Sequence, residues 1–471
     1  MTNKNCDIGM IGLGVMGQNL LFNMADHGFS VAGYDTDKTK SEALQKAANN
    51  KPIYGTTSIT DFLKALKKPR AIMLLVPAGK IVDAVITDLL PHIEPGDLII
   101  DAGNSHFTDT DRRAEALEKK GIQFLGVGIS GGEEGARRGP SIMPGGPLEA
   151  YEKIRPILEA VSAKVNNEPC VTYLGNGSVG HYVKMVHNGI EYGLMQLIAE
   201  TYDVMKRGLG LNNKQLHDVY DAWNQSDLNS YLLEITRDIF SKLDDKTGAP
   251  LIDKIKAIAA QNGTGMWTSL SAMELQVPVP TIDTAVMMRD MSVLMDQRDQ
   301  AQALYQFSVP LLKGDQTQFL KQLQAAFEVA MTVVYAQGFA LLKVASEKYQ
   351  YQLKLEDVAR IWRGGCIIRA KLLDAIANAF KDNKNLANVL LDAHLAKKMI
   401  SHQNGLRSII SEISLSGVPM PAFMATLSYL EAYCSSFQPA NLIQAQRDYF
   451  GAHTYERIDE KGIFHTEWEK K

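Results

Sequence analysis

Cysteine is scarce: Cys6, Cys170, Cys366 and Cys434 are the only four in 471 residues, far apart and without a CxxC pair or Cys/His cluster. A disulfide framework and a structural zinc site are therefore not expected, and a reducing compartment is. Charge of one sign is also missing. The formal net charge is −4, which offers no electrostatic reason to expect nucleic acid as the main partner. No unbroken apolar run approaches the roughly eighteen residues that span a bilayer, so no membrane segment is expected. The opening "MTNKNCDIGMIGLG" enters a strand at once without a leader-like apolar stretch, and a cytoplasmic location is the expectation. Internal repeats and low-complexity tracts are not evident. What remains is an ordinary globular composition, 45% hydrophobic and 22% charged, long enough for roughly two or three domains.

The first part alternates like a parallel α/β sheet. Short apolar runs "DIGMIG", "FSVAGYD", "AIMLLVP", "DLIIDAG" and "IQFLGVGIS" are separated by helical stretches, and "CVTYLG" at 170–175 is the last strand-like run. From Ser178 onward the pattern is helical, beginning with a segment of roughly 179–207. Past Phe437 it breaks again into a polar, aromatic-rich tail, with poor helical periodicity after Gly451. Disordered tails rarely hold so many aromatics, so this one should pack against something. The expected organisation is a Rossmann-type α/β domain over 1–177, a large all-α domain over 178–436, and a C-terminal tail over 437–471.

"IGLGVMGQNL" places Gly12, Gly14 and Gly17 as GxGxxG between a strand and a helix. That context suits a dinucleotide: a tight turn, a close backbone approach to pyrophosphate, and close helix–strand packing. The second strand ends in Asp35, placed to accept hydrogen bonds from the adenosine ribose, which favours NAD. The 2′-phosphate of NADP about 4 Å from this carboxylate would cost on the order of 4 kcal/mol at an effective dielectric near 20. Lys38 and Lys40 soften that penalty, and Asp35 could instead cap the next helix.

Two strand ends carry polar groups where open α/β sheets bind ligands. "LIIDAGNSHFTDT" ends in Asn104, and "GVGISGGEEGARRGPSIMPGG" holds Ser130-Gly131-Gly132 and a second glycine pair. Glycine pairs can be plain turns, but this repetition suggests backbone N–H groups shaped around an oxygen-rich ligand. "KMVHNGIEYG" read as a helix lines up Lys184, Asn188 and Glu191, with His187 beside them, while Val183, Val186, Ile190 and Leu194 recur on another face. Lys184 and Glu191, two turns apart, could flank a ligand about 10 Å long. A desolvated lysine can act as a base and a buried carboxylic acid can return a proton; a solvated face with a weak charge pattern is the plainer alternative.

Taken together, "IGLGVMG", "DAGNSHFTDTDRR", "GISGGEEGARRGPSIMPGG", "KMVHNGIEYG", "WRGGCIIR" and "QRDYFGAHTYERID" resemble the decarboxylating 6-phosphogluconate dehydrogenases over nearly the full length. More distantly, the chain resembles the wider β-hydroxyacid dehydrogenases. The resemblance implies oxidative decarboxylation of 6-phosphogluconate to ribulose 5-phosphate in the pentose phosphate pathway, with Lys184 as base, Glu191 as acid, and no metal. It implies that Asn104, Ser130, Gly131, Gly132, His187 and Asn188 hold the carboxylate and hydroxyls, and that Tyr192, Thr264, Arg289 and Arg447 hold the phosphate. The cofactor would meet Gly12, Leu13, Gly14, Val15, Met16, Gly17, Asp35, Thr36, Val76, Ala78 and Asn104. In such a homodimer the tail would carry Arg447 and His453 into the neighbouring site.

The chain departs from the family at four places. Asn262 stands where a phosphate-contacting lysine is usual, a loss of about 1.5–3 kcal/mol for one charged hydrogen bond. Arg138 replaces a tyrosine and is a candidate for compensation. Asp35-Thr36-Asp37 replaces the Asn-Arg-Thr of NADP-using relatives, which strengthens the expectation of NAD, with NADP still possible. Pro77 occupies a cofactor-loop position often held by lysine. Asn262 also motivates an alternative, a related dehydrogenase for another sugar acid; a non-catalytic cofactor-binding module is the third.

Overall fold

The computed structural model describes residues 5–468. Seven strands form one sheet: β1 (Ile8–Ile11), β2 (Val31–Tyr34), β3 (Ile53–Thr56), β4 (Ala71–Leu74), β5 (Leu98–Asp101), β6 (Gln123–Ser130) and β7 (Ser141–Gly145). Their spatial order is β3-β2-β1-β4-β5-β6-β7, parallel through β6, with β7 antiparallel to β6. The strand order reverses between β1 and β4, which makes this the doubly wound Rossmann type with its ligand crevice at the carboxyl ends. Runs such as Leu98–Asp101 are buried throughout, as strands covered on both faces by helices must be. Two apolar clusters line the two faces, one with Met10, Leu20 and Ile100, the other with Ile11, Phe62 and Ile99.

Three strand expectations need correction. β3 is an edge strand as long as its neighbour β2 but with one buried residue, too exposed to show an apolar run. The "SIMPGG" stretch forms β7 rather than a loop; Pro144 is tolerated there because β7 lies at the sheet edge. "CVTYLG" contributes only an isolated bridge between Val171 and Ile142, beyond β7.

The rest of the chain is helical. The helix Val179–Asp203 runs on into a π-helical turn at Val204–Gly208. It packs against the sheet on one side and against Gln316–Lys348, Thr264–Glu274 and Pro280–Ser292 on others. Val183, Val186, Ile190 and Leu194 are all buried in the largest apolar cluster of the chain. Gln316–Lys348, 33 residues, is in fact long and apolar enough to cross a bilayer, contrary to the expectation from unbroken runs; 83% of its apolar window is buried inside the protein. Thr332 and Gln337 interrupt that stretch in sequence, and Gln337 bonds Thr281 instead of facing lipid.

Farther along Val179–Asp203, Glu200 caps a distant helix. Its carboxylate accepts from Ala422 N at 2.9 Å and Phe423 N at 3.1 Å, at the start of Pro421–Cys434. Burial pushes its pKa up to about 7, against the pull of hydrogen bonds from Gln196 and those two amides.

The tail is ordered around one carboxylate. Helix Ala440–Gly451 carries buried Asp448, which accepts from Thr454 N, His465 Nδ1, Thr466 N and Trp468 Nε1 at 2.8–3.0 Å. Leu442, Ile443, Phe450 and Ile458 remain exposed, so within this chain the tail packs on itself.

Candidate active site

At the first strand end, the three glycines divide their work. A Cβ on Gly17 would collide with the Gly12 carbonyl, and Gly12 itself has φ +99 against the backbone of Leu75. Gly14 meets nothing within 4 Å and stands at the uncapped start of helix Val15–Asp26. Open backbone before a helix N-terminus fits a pyrophosphate. Leu13 is wholly buried, and its amide donates to Asp35 Oδ2 at 2.8 Å. Val15 is exposed and Met16 partly so. The cap of helix Lys38–Ala47 is Asp37, which accepts from Thr39. Asp35 is therefore not the cap: it ties the glycine loop to β2, with Lys40 Nζ 3.5 Å away and Thr36 exposed beside it.

A cavity of about 690 Å³ opens beyond β4 and β5 and under helix Val179–Asp203. Its wall combines Pro77, Ala78 and Gly79 after β4, Asn104 and His106 after β5, Asn188, Glu191 and Tyr192 from the helix, and Asn262, Thr264, Trp267 and Arg289. Val76, just before this stretch, packs with the sheet core. Backbone meets backbone beneath the cavity, where the helix settles on the sheet. A Cβ on Gly128 would overlap Lys184, and one on Gly145 would stand 2.5 Å from Gly180 N.

That close seat buries Lys184. Burial lowers its pKa, with Glu191 and Cys366 pulling the other way. Glu191 shifts in the opposite direction: burial raises its pKa, opposed by Lys184 and Arg289. His187 is fully buried, edge-on to Trp362, and its pKa is driven well below the ordinary value by burial and then by Lys184. Asn188 Nδ2 donates to Thr264 Oγ1 at 3.1 Å, which leaves Asn188 Oδ1 facing His187 Nδ1 at 3.0 Å. The neutral imidazole thus carries its proton on Nδ1, and Nε2 accepts from Ser130 Oγ at 3.0 Å. A directed chain Ser130–His187–Asn188–Thr264 results.

Several expected site residues stand elsewhere than on the cavity wall. Lys184 and His187 are buried behind the wall, and Ser130, also buried, reaches the wall residue Asn188 only through His187. Gly131 packs against the Gly365 carbonyl, and Gly132 opens the short helix Gly132–Arg138. The second glycine pair seats the helix on the sheet and so does not cradle a ligand. Arg138 is exposed and paired with Glu134 at 2.9 Å, a surface i,i+4 pair that leaves Asn262 without compensation. Arg289 lies 4.5 Å over the Tyr192 ring and donates to Ala260 O. Arg447 bonds Gln444, and His453 packs edge-on to Phe450 on the exposed tail, away from this chain's cavity.

Sequence reasoning missed His106 and Trp267, whose rings meet edge-on at 4.9 Å between the sheet loops and the helical region. His106 follows Asn104 by two residues at the same strand end, so its position was readable. Trp267, one helical turn beyond Thr264, gave no comparable signal. Among the described residues, no group of three or more His, Cys, Asp or Glu could hold a metal ion.

Comparison with known proteins agrees over the whole length. Residues 7–175 match the NAD binding domain of 6-phosphogluconate dehydrogenase, and 180–468 match the 6-phosphogluconate dehydrogenase C-terminal domain. The NADP(+)-dependent, decarboxylating 6-phosphogluconate dehydrogenase of Bacillus subtilis is 50% identical, over 98% of this chain and 99% of that one. The decarboxylating enzyme of Synechococcus elongatus is 49% identical, over 98% of each. The 6-phosphogluconate dehydrogenase of Plasmodium falciparum, solved apo, with NADP+ and with 6-phosphogluconate, superposes with TM-score 0.95 at 45% identity, over 98% of this chain and 100% of that one.

Proposed function

The chain belongs to the decarboxylating 6-phosphogluconate dehydrogenases, NAD(P)-dependent oxidoreductases, and we propose that it converts 6-phosphogluconate to ribulose 5-phosphate and carbon dioxide with NAD preferred. The observation that supports this most is the pair Lys184 and Glu191, two turns apart on one helix, with pKa values pushed in opposite directions by burial.

When bound, the nicotinamide accepts hydride from C3 of the sugar acid. Neutral Lys184 takes the proton of the C3 hydroxyl, a role that burial prepares by disfavouring the ammonium form. The 3-keto acid then loses carbon dioxide, because its new carbonyl accepts the electron pair, and the Lys184 ammonium returns its proton to that oxygen to give the enediol. Glu191, protonated through its raised pKa, gives a proton to C1 of the enediol. Asn104, His187 and Asn188, with Ser130, Gly131 and Gly132 behind them, orient the carboxylate and hydroxyls. Tyr192, Thr264 and Arg289 hold the phosphate, with Asn262 as an uncharged neighbour.

The NAD preference rests on Asp35, Thr36 and Asp37, which offer two carboxylates and no guanidinium where a 2′-phosphate would lie. It would set this chain apart from the NADP-dependent Bacillus relative. On this proposal residues 1–177 hold the cofactor and 178–436 the sugar acid, while 437–471 reach a second copy and deliver Arg447 and His453 to its cavity. Residues 1–4 and 469–471 of those spans lie outside the described residues. Exposed Leu442, Ile443 and Phe450 on the tail support such a homodimer, and the scarcity of cysteine, four in 471 residues, suits the cytoplasm.

Initial rates on 6-phosphogluconate with NAD and NADP in parallel, following reduced cofactor and carbon dioxide together, test this. Equal yields of both products, faster with NAD, are expected. Faster turnover with NADP would overturn the cofactor preference, and no reduction of either cofactor would overturn the activity. Asn262 on the cavity wall favours one further comparison: if plain gluconate equals 6-phosphogluconate, the substrate is a different sugar acid.

A further inference from the structure

Arg113 lies outside the cavity and outside the chemistry above, yet it is buried to 3% exposure beneath the loops after β4 and β5. Its guanidinium uses the whole fork. Nη2 donates to Gly79 O at 2.9 Å, Nε to Asp83 Oδ1 at 2.8 Å, and Nη1 to Ser105 Oγ at 3.1 Å and Asp101 Oδ2 at 3.3 Å. Asp101 in turn accepts from Gly103 N at 3.1 Å and Ser105 Oγ at 2.6 Å. One side chain therefore joins the loop ending at Gly79 to the loop carrying Asn104.

These are two of the loops that wall the cavity, and nothing else in the chain is bonded to both through a single planar group among the described contacts. We propose that Arg113 is a positioning residue: it sets the spacing of the two loops and so the slot for the nicotinamide half of the cofactor, without touching it. The proposal rests on the cavity being the dehydrogenase site. The adenosine half, at Gly14 and Asp35, is built on β1 and β2 and does not depend on Arg113. An ammonium cannot replace the fork, because its three donors radiate from one atom at the end of a flexible stem.

The test is Arg113→Lys, with binding of NADH and of ADP measured side by side. ADP lacks the nicotinamide half. The NADH dissociation constant and the KM for 6-phosphogluconate should rise about tenfold or more, as for loops displaced by a fraction of an ångström, while ADP binding stays within about twofold of wild type. Equal weakening of NADH and ADP, or weakening of neither, would overturn the proposal. Arg113→Lys leaves two carboxylates partly uncompensated and could fail to fold. Asp83→Asn, which removes one anchor at a half-exposed position, should then give a smaller shift confined to NADH, and equal NADH binding would be the refuting result. Wild type assayed alongside separates the two failures: if it is inactive, the site assignment is wrong, whereas an active wild type with unshifted variants removes only the role of Arg113.

Discussion

Gly189 invites a substitution whose ordinary effect and structural effect have opposite signs. It lies inside helix Val179–Asp203, between Asn188 and Glu191, and replacing an interior helical glycine by alanine ordinarily stabilises by about 0.5–1 kcal/mol. Here an added Cβ would stand 2.5 Å from Thr268 Cγ2 and 2.8 Å from Thr268 Cβ. Carbon atoms settle at about 3.5–4.0 Å, so this helix and Thr264–Glu274 must part by about 1 Å. Thr268 cannot simply turn aside, since its hydroxyl donates to Met185 O at 2.8 Å and it is fully buried. Overpacking of this kind costs about 1–3 kcal/mol, so Gly189→Ala should be net destabilised by about 1 kcal/mol. The same movement stretches the 3.1 Å Asn188–Thr264 bond and widens the proposed phosphate end of the cavity. A misplacement of about 1 Å can cost up to about a hundredfold in rate, and we expect at least a tenfold loss in kcat/KM, carried by KM for 6-phosphogluconate. Denaturant unfolding and steady-state kinetics read both effects, and adding Thr268→Ser, which deletes the nearest methyl, should restore part of each. A more stable Gly189→Ala with unchanged KM would refute the reasoning.

Lys184→Met should abolish hydride transfer while NADH fluorescence titration shows binding intact; near-normal turnover would remove Lys184 from the mechanism. In wild type the rate should rise with pH as Lys184 loses its proton and fall as Glu191 loses its own, and Glu191→Gln should act on the alkaline limb. Asp35→Ala should narrow any NAD over NADP preference in kcat/KM, and an unchanged ratio would place the adenosine ribose elsewhere. Glu200 carries a pKa raised from 4.5 to about 7, so its contribution to stability is fully present below pH 4.5 and is lost as pH rises to about 7. The loss is on the order of 3 kcal/mol, and in Glu200→Gln that slope in unfolding free energy should vanish. Asn262→Lys should lower KM for 6-phosphogluconate about tenfold by restoring a charged contact; unchanged KM would show that position 262 does not meet the phosphate.

The glycine turn, the acid after β2 and the stripe Lys184–Glu191 were legible in the sequence because each follows from local periodicity: a strand–turn–helix spacing and a repeat of three and four along one helix. β3 and β7 escaped for the converse reason. β3 buries only one of its four residues, and "SIMPGG" carries the residues of a turn while pairing as a fully buried strand. Asp35 was the helix cap that the sequence offered, but Asp37, two residues on, takes that place, which only hydrogen-bond geometry decides. Arg113 and Glu200 were invisible as partners because their bonds reach across as many as 34 and 223 positions. Arg138 shows where compensation arguments from composition fail: its guanidinium pairs with Glu134 on the surface and does not replace the charge missing at Asn262.

Helix Val179–Asp203 is seated on the sheet through Gly128, Gly145 and Gly180, where an added Cβ would meet Lys184 Cβ or main chain within 2.5 Å. Glycine at these positions leaves nothing to trim, and any enlargement collides, so the seat has no gradual route to a different shape. The rim is another matter: Pro77, His106, Asn262 and Trp267 line it with side chains of unlike size and polarity. Divergence toward new sugar acids should therefore proceed by exchange at the rim over an inherited floor. A library confined to those four positions is the economical place to look for altered selectivity.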